Sequence, residues 1–291
     1  MNMIKESELI INSDGSVFHL HLKPENIADN IILVGDQNRV SEIAKFFDPV
    51  EFSAHNREFN SVTGVYNNNR FTAISTGIGT DNIDIVLNEL DALVNIDLKT
   101  REVKKKKKSL NIVRIGTSGS MQKELAVNSW LVSQKSIGFD GLLNFYAGRE
   151  KYCDLAFEEA FKSFTGWISS LPDPYVTDAS GTLLPKFSGS EFNKGVTISA
   201  PGFYGPQGRI IRLSASMPRL NSLVEQFRYN NLQITNFEME SSAIYGLSRM
   251  LGHEALTVCL IIANRITGDA NNNYYDEMKK LIKKVLDTLT N

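Results

Sequence analysis

Apolar residues along this chain fall into short uninterrupted runs, separated by stretches in which they recur every three or four positions. "NIILVG" (30–35), "RFTAIST" (70–76), "LNIVRIG" (110–116), "GVTISA" (195–200), "LQITNF" (232–237) and "ALTVCLIIA" (255–263) read as strands, several of them apolar throughout, as in a sheet covered on both faces. Between them, Ile83, Leu87, Leu90 and Val94 form one helical stripe, and Tyr274, Met278, Leu281, Ile282, Val285, Leu286 and Leu289 form another. The alternation predicts an α/β protein. No internal repeat and no Pro- or Ser-rich linker interrupts it, so one domain over residues 1–291 is expected. The region 140–194 is less regular.

Composition narrows the classes. With 42% hydrophobic and 22% charged residues the chain is ordinary for a soluble globular protein, and a formal net charge of -2 gives no field of the kind that tracks a nucleic-acid backbone. "KTREVKKKKKSL" (99–110) reads as a solvated surface insertion near 99–109, with no nucleic-acid or membrane role. No segment approaches the roughly 20 apolar residues that cross a bilayer. The N-terminus has no apolar stretch of signal-peptide length, so a cytoplasmic location is expected. Cys153 and Cys259 have no CxxC or Cys/His ligand spacing and read as reduced core residues, with no metal site.

Candidate chemistry collects where strands end in glycine-containing turns. "LVGDQNRV" puts Gly35 after a strand and Arg39 near a helix start, "ISTGIGTDN" supplies Gly77 and Gly79, and "VRIGTSGS" supplies Arg114, Gly116, Thr117 and Gly119. Ligands of open α/β sheets lie beyond the carboxyl ends of the strands, and helix-start N–H groups favour anions. Arginine forks match phosphate oxygens, so phosphate is the first choice of ligand. None of these turns is a GxxxxGK[ST] or GxGxxG loop, which argues against nucleoside triphosphates and dinucleotides. "NFEMESSAIYGLSRM" (236–250) sets Glu238 and Glu240 against a helix destined for the interior. Burying a carboxylate alone costs several kcal/mol, about 2–7 for polar groups in general, so something polar must meet them.

"VFHLHL", "GDQNR", "HNREF", "STGIG", "RIGTSG", "FYGPQGR", "NFEMES" and "IIANR" occur in an order that resembles the nucleoside phosphorylases of the uridine phosphorylase type, from about Val17 to the C-terminal helix. The resemblance implies a single-domain three-layer α/β/α fold with a central mixed sheet, and reversible phosphorolysis of uridine to uracil and ribose 1-phosphate, as in pyrimidine salvage. It implies phosphate as co-substrate and no other cofactor. It assigns phosphate to Gly35, Arg39, Arg114 and Thr117, with Arg57 reaching in from a neighbouring subunit. It assigns the ribose to Glu240, Met239 and Glu238, with His19 crossing the interface. It gives the base to Phe203, Gln207 and Arg209, with Ile262 and Ala263 closing the apolar side. Arg114, Thr117, Glu240 and Arg209 would carry the catalysis, in a homodimer assembled into a homohexamer. Gln207 offers an acceptor and donors and Arg209 donors only, which complements the O4, N3–H and O2 edge of uracil.

Several positions depart from the family or bear on its branches. Gln37 stands where the family commonly has proline, and Thr80, Asp81 and Asn82 replace a Gly-Pro-Ser type turn, with Asp81 bringing a negative charge towards the phosphate site. Asn264 stands where purine-type relatives often place an aspartate proton donor, and Asp269 lies further on. His21, His55 and His253 have no motif behind them and read as structural or exposed. The alternatives are a nucleoside hydrolase on the same fold and a non-catalytic nucleoside-binding protein.

Overall fold

The computed structural model describes residues 3–290; Met1, Asn2 and Asn291, at the ends of the expected domain, lie outside the described residues. The chain enters its sheet at β1 (Asn30–Val34), crosses over α1 (Gln37–Ala44) and continues through β2 (Val50–Asn56), β3 (Phe59–Tyr66) and β4 (Asn69–Ser75). Helix α2 (Thr80–Asn95) leads to a small hairpin, β5 (Ile96–Asp97) with β6 (Glu102–Val103), and then to β7 (Asn111–Ser120) and β8 (Trp130–Gly138). The less regular region holds α3 (Leu155–Thr165) and β9 (Tyr175–Asp178), followed by β10 (Phe192–Ser199), α4 (Leu220–Gln226), β11 (Arg228–Tyr229) and β12 (Leu232–Glu238). Helix α5 (Ser241–Leu251), β13 (Glu254–Asn264) and α6 (Tyr275–Thr290) complete it.

Spatial order in the main sheet is β11-β12-β10-β8-β13-β7-β1-β4-β3-β2, with β9 added on β8. The pairing is mixed: β1 runs parallel to both β4 and β7, β13 runs parallel to β7 and antiparallel to β8, and β2, β3 and β4 form an antiparallel meander. A short antiparallel contact, Asn236 with Ser120 and Phe237 with Gly119, also joins β12 to β7. It closes β12, β10, β8, β13 and β7 into a ring, from which β1 to β4 extend as an open sheet. This is the expected α/β arrangement of a central mixed sheet with helices around it.

The uninterrupted runs are buried for the reason their sequence gives. Ile31, Ile32, Leu33 and Val34 of β1 are fully buried, as are Ile112, Val113 and Ile115 of β7. Each such side chain contributes about 1.5–3 kcal/mol relative to exposure. In α2 the buried face is Ile83, Val86, Leu87, Leu90 and Leu93, and in α6 it is Met278, Leu281, Ile282, Val285 and Leu286. Asp276 and Glu277 in the first turn of α6 oppose the positive end of its dipole. The lysine run is on the surface: Lys105, Lys106 and Lys107 are exposed, Lys108 pairs with Asp29 at 2.5 Å, and Lys104 donates to the Val94 carbonyl at 3.0 Å. No helix among the described residues is long and apolar enough to cross a membrane.

Candidate active site

The carboxyl ends of β1, β7, β12 and β13 open onto a cavity of about 870 Å³. Gly35, Arg39, Arg114 and Thr117 line it together with Glu238, Met239 and Glu240 and with Phe203, Gln207, Arg209, Ile262 and Ala263. These residues span most of the sequence, and the parallel register of β1, β7 and β13 brings their ends level.

Arg114 is 5% exposed and ion-paired with two carboxylates, Glu240 and Glu238, the latter at 3.2 Å. Burial works against its charge, but Glu240 and Glu238 outweigh that and hold the guanidinium firmly protonated. A side chain at position 116 would collide with it, since an added Cβ on Gly116 would lie 2.0 Å from Arg114 Nη1. Glycine is required there by the arginine's path. Beneath it, burial pushes the Cys259 thiol up to about 12, so this cysteine stays neutral. Arg39 donates to the Ile115 carbonyl at 3.2 Å, and its burial lowers its pKa from the ordinary arginine value.

The two glutamates have different partners. Glu238 accepts from Ser199 Oγ at 2.5 Å and from the N–H groups of Glu240 and Ser241 at 3.0 Å each. It therefore caps the start of α5, and it lines the same cavity as Met239 and Glu240. Glu240 accepts from the Gly79 N–H at 2.8 Å and from Arg114. Burial pushes its pKa up, Arg114 opposes the rise and Glu238 reinforces it. The polar partner of the buried carboxylates is thus, in the first place, Arg114.

A short 3-10 turn, Gly205–Gln207, presents the Gln207 side chain. Asn221 holds it by donating to the Gln207 carbonyl at 3.2 Å. Arg209 lies over the Phe203 ring at 3.9 Å, donates to the Phe203 carbonyl at 2.7 Å and also to Gln207 Oε1. Arg265, to which sequence reasoning assigned no role, stands beside this pair. It packs against Gly119, lies 5.4 Å from the centre of the Phe237 ring and has a buried Nη1 with no partner. Burial and the neighbouring Arg209 push its pKa down to about 10. The available signal was its place directly after the β13 strand end.

His19 and Arg57 do not line the cavity of their own chain. His19 Nδ1 is 2.6 Å from Glu89, which also accepts the N–H groups of His19 and Leu20. Arg57 is exposed, 5.9 Å from the Phe18 ring centre, and Asn56 donates to the His19 carbonyl at 2.8 Å, so the two residues share one surface patch. Gln37, the replacement for proline, donates to the Arg57 carbonyl at 2.9 Å. Asp81 is exposed in the first turn of α2, where the helix dipole favours it, and does not line the cavity; Asn82 and Glu58 do. Asn264 is spent on loop bonds to Gln122, Leu125, Ile266 and Thr267, and the Asp269 carboxylate accepts from Thr267. His21 and His55 are exposed and His253 is buried, accepting from the Leu110 N–H.

Residues 29–291 match the family model described as the phosphorylase superfamily. The chain belongs to that superfamily. Among the superfamily's solved structures, a Trypanosoma brucei nucleoside phosphorylase described as showing uridine phosphorylase activity superposes with a TM-score of 0.87 at 30% identity, covering 97% of this chain and 99% of the other. A uridine phosphorylase of Haemophilus influenzae is 29% identical over 259 residues, 88% of this chain and 89% of that protein. One from Thermococcus kodakarensis is 27% identical over 262 residues, 88% of this chain and 80% of that protein. This superfamily member is a nucleoside phosphorylase in its fold and its enzyme class.

Proposed function

We propose that the protein cleaves uridine with phosphate, giving uracil and ribose 1-phosphate. The observation that carries the reading is one cavity that gathers the Arg39 and Arg114 guanidinium groups, Glu240 in contact with Arg114, and the Gln207–Arg209 pair. Breaking the N-glycosidic bond develops positive charge on the ribose and negative charge on the base. Phosphate at Arg39, Arg114, Thr117 and the Gly35 backbone is the nucleophile and the counter-charge. Glu240 takes the ribose hydroxyls and Met239 packs against the sugar. Gln207 and Arg209 meet the uracil edge, with Phe203, Ile262 and Ala263 around the ring and Arg265 adding positive potential as the base leaves. Removing one such preorganised donor costs roughly 2.7–4 kcal/mol of transition-state stabilisation.

Charge balance supports a shared site. Arg39 and Arg114 carry two positive charges against the carboxylates of Asp36, Glu58, Glu238 and Glu240 that line the same cavity, so these groups leave no positive surplus for a phosphate dianion. In our reading Arg57 of a second copy supplies it, with His19 of that copy near the ribose 5′-hydroxyl, in a dimer that is the active unit of a hexameric cytoplasmic enzyme. No further cofactor has a place in the reaction.

The test follows free uracil by ultraviolet absorbance with and without phosphate. Cleavage should require phosphate, and uridine should be preferred over cytidine and inosine by about a hundredfold or more in kcat/KM, because mismatched bases leave buried polar groups unpaired. Cleavage independent of phosphate would indicate a hydrolase, cleavage in neither condition a binding protein, and equal rates for uridine and inosine would remove the uracil assignment.

A further inference from the structure

Asp36, Asn38, Arg39 and Tyr274 border two cavities at once, the site cavity and a smaller one of about 260 Å³ beside the start of α6. Arg39 and Tyr274 therefore stand in the wall between them. Tyr274 is held from both sides: its carbonyl accepts from the Met278 N–H at 2.9 Å, opening α6, and the adjacent Tyr275 hydroxyl donates to Glu42 on α1. Its ring is half-buried against the core.

We propose that Tyr274 is a further phosphate-binding residue, its hydroxyl donating to an oxygen of the anion that Arg39 and Arg114 hold. The chemistry suits the location. Asp36 and Glu58 also line the site cavity, and a lysine in place of Tyr274 would pair with them instead of the ligand. A phenol brings one directed donor and no charge, so it adds to the anion site without being captured by those carboxylates. The proposal rests on the phosphorolytic reading, and it assigns a role to a residue that lies outside the glycine-turn motifs.

Tyr274→Phe tests it, because the variant keeps the ring and its packing and removes only the donor. Phosphate binding is measured by calorimetry without nucleoside, and KM for phosphate and for uridine are measured on the same preparations. The expected result is phosphate binding about tenfold weaker, as for a lost hydrogen bond to a charged group, a matching rise in phosphate KM, and an unchanged uridine KM and melting temperature. Unchanged phosphate affinity in the variant, with native protein that binds phosphate, overturns the role of Tyr274 alone. A lowered melting temperature with both KM values raised together overturns it as well, in favour of a packing role. Native protein that binds no phosphate overturns the phosphorolytic reading and this proposal with it.

Discussion

Arg114 faces two carboxylates with one guanidinium, all three buried, and this ratio decides what substitution does. Arg114→Ala should abolish phosphate-dependent cleavage, and it should also weaken the fold. Alanine would strand Glu238 and Glu240 without a cation, and breaking a buried pair from one side costs about 3–5 kcal/mol. Arg114→Ala should therefore lower the unfolding midpoint as well as activity, which chemical denaturation monitored by fluorescence will show. Glu240→Gln should do the opposite, leaving one guanidinium with one carboxylate. Because the folded protein holds the Glu240 proton more tightly than the unfolded chain does, the stability Glu240 contributes is present below its unfolded pKa and is lost as pH rises through the raised folded value. The stability advantage of Glu240→Gln over the native protein should accordingly grow with pH from the ordinary glutamate range upward and then level off, while its kcat/KM for nucleoside falls at every pH. Thermal melts across that window check the sign, and a constant difference would contradict it.

Among the elements, the strand-end turns do the positioning, and Gly116 offers a direct probe. A methyl group there displaces the Arg114 guanidinium, the mobile end of a side chain, and touches no backbone in its closest contacts. Gly116→Ala should therefore fold normally by circular dichroism yet lose about a hundredfold or more in kcat/KM, the consequence of roughly 2.7 kcal/mol of misplaced charge. How far such elements were legible depended on whether their pattern was local. The parallel strands β1, β7, β12 and β13 announced themselves because both faces are covered and their runs are unbroken. Strand β8 did not, since Ser133, Lys135 and Ser136 interrupt its apolar run; they are satisfied by partners distant in sequence, Thr197 and Ser199 for the serines and Asp154 with Asp178 for the lysine. Strand β2 was missed for the converse reason, being an edge strand whose residues are exposed or half-buried. At the site, the demand of Glu238 and Glu240 for a polar partner was readable, but the identity of that partner was not, because Arg114 lies on another strand and only the register of the sheet brings them together.

For the molecule as a whole, the patch formed by His19, Phe18 and Arg57 sits outside its own cavity, and the proposed dimer gives it a use. Mixing Arg57→Ala with Glu240→Gln should restore activity, since half of randomly exchanged dimers are hybrids in which one site regains both groups, roughly a quarter of the native sites. Each variant alone should be nearly inactive. Verified subunit exchange without recovery would show that Arg57 serves no neighbouring site.

The ion pair between Arg114 and Glu240 has a consequence at this scale too. Arg114 and Glu240 are each other's partner, so on the proposed reading the protein itself competes with phosphate for one and with the sugar for the other. An anion that draws Arg114 towards itself hands Glu240 back to the sugar, and a sugar that engages Glu240 frees Arg114 for the anion. By thermodynamic necessity the two effects are one number: phosphate should tighten the binding of an unreactive nucleoside analogue by the same factor by which the analogue tightens phosphate, in the roughly 5–150-fold range of such couplings. Equilibrium titrations of each ligand with and without the other measure both factors. Two factors equal to one would mean that Arg114 never releases Glu240, and that the enzyme works around its internal salt bridge instead of through it.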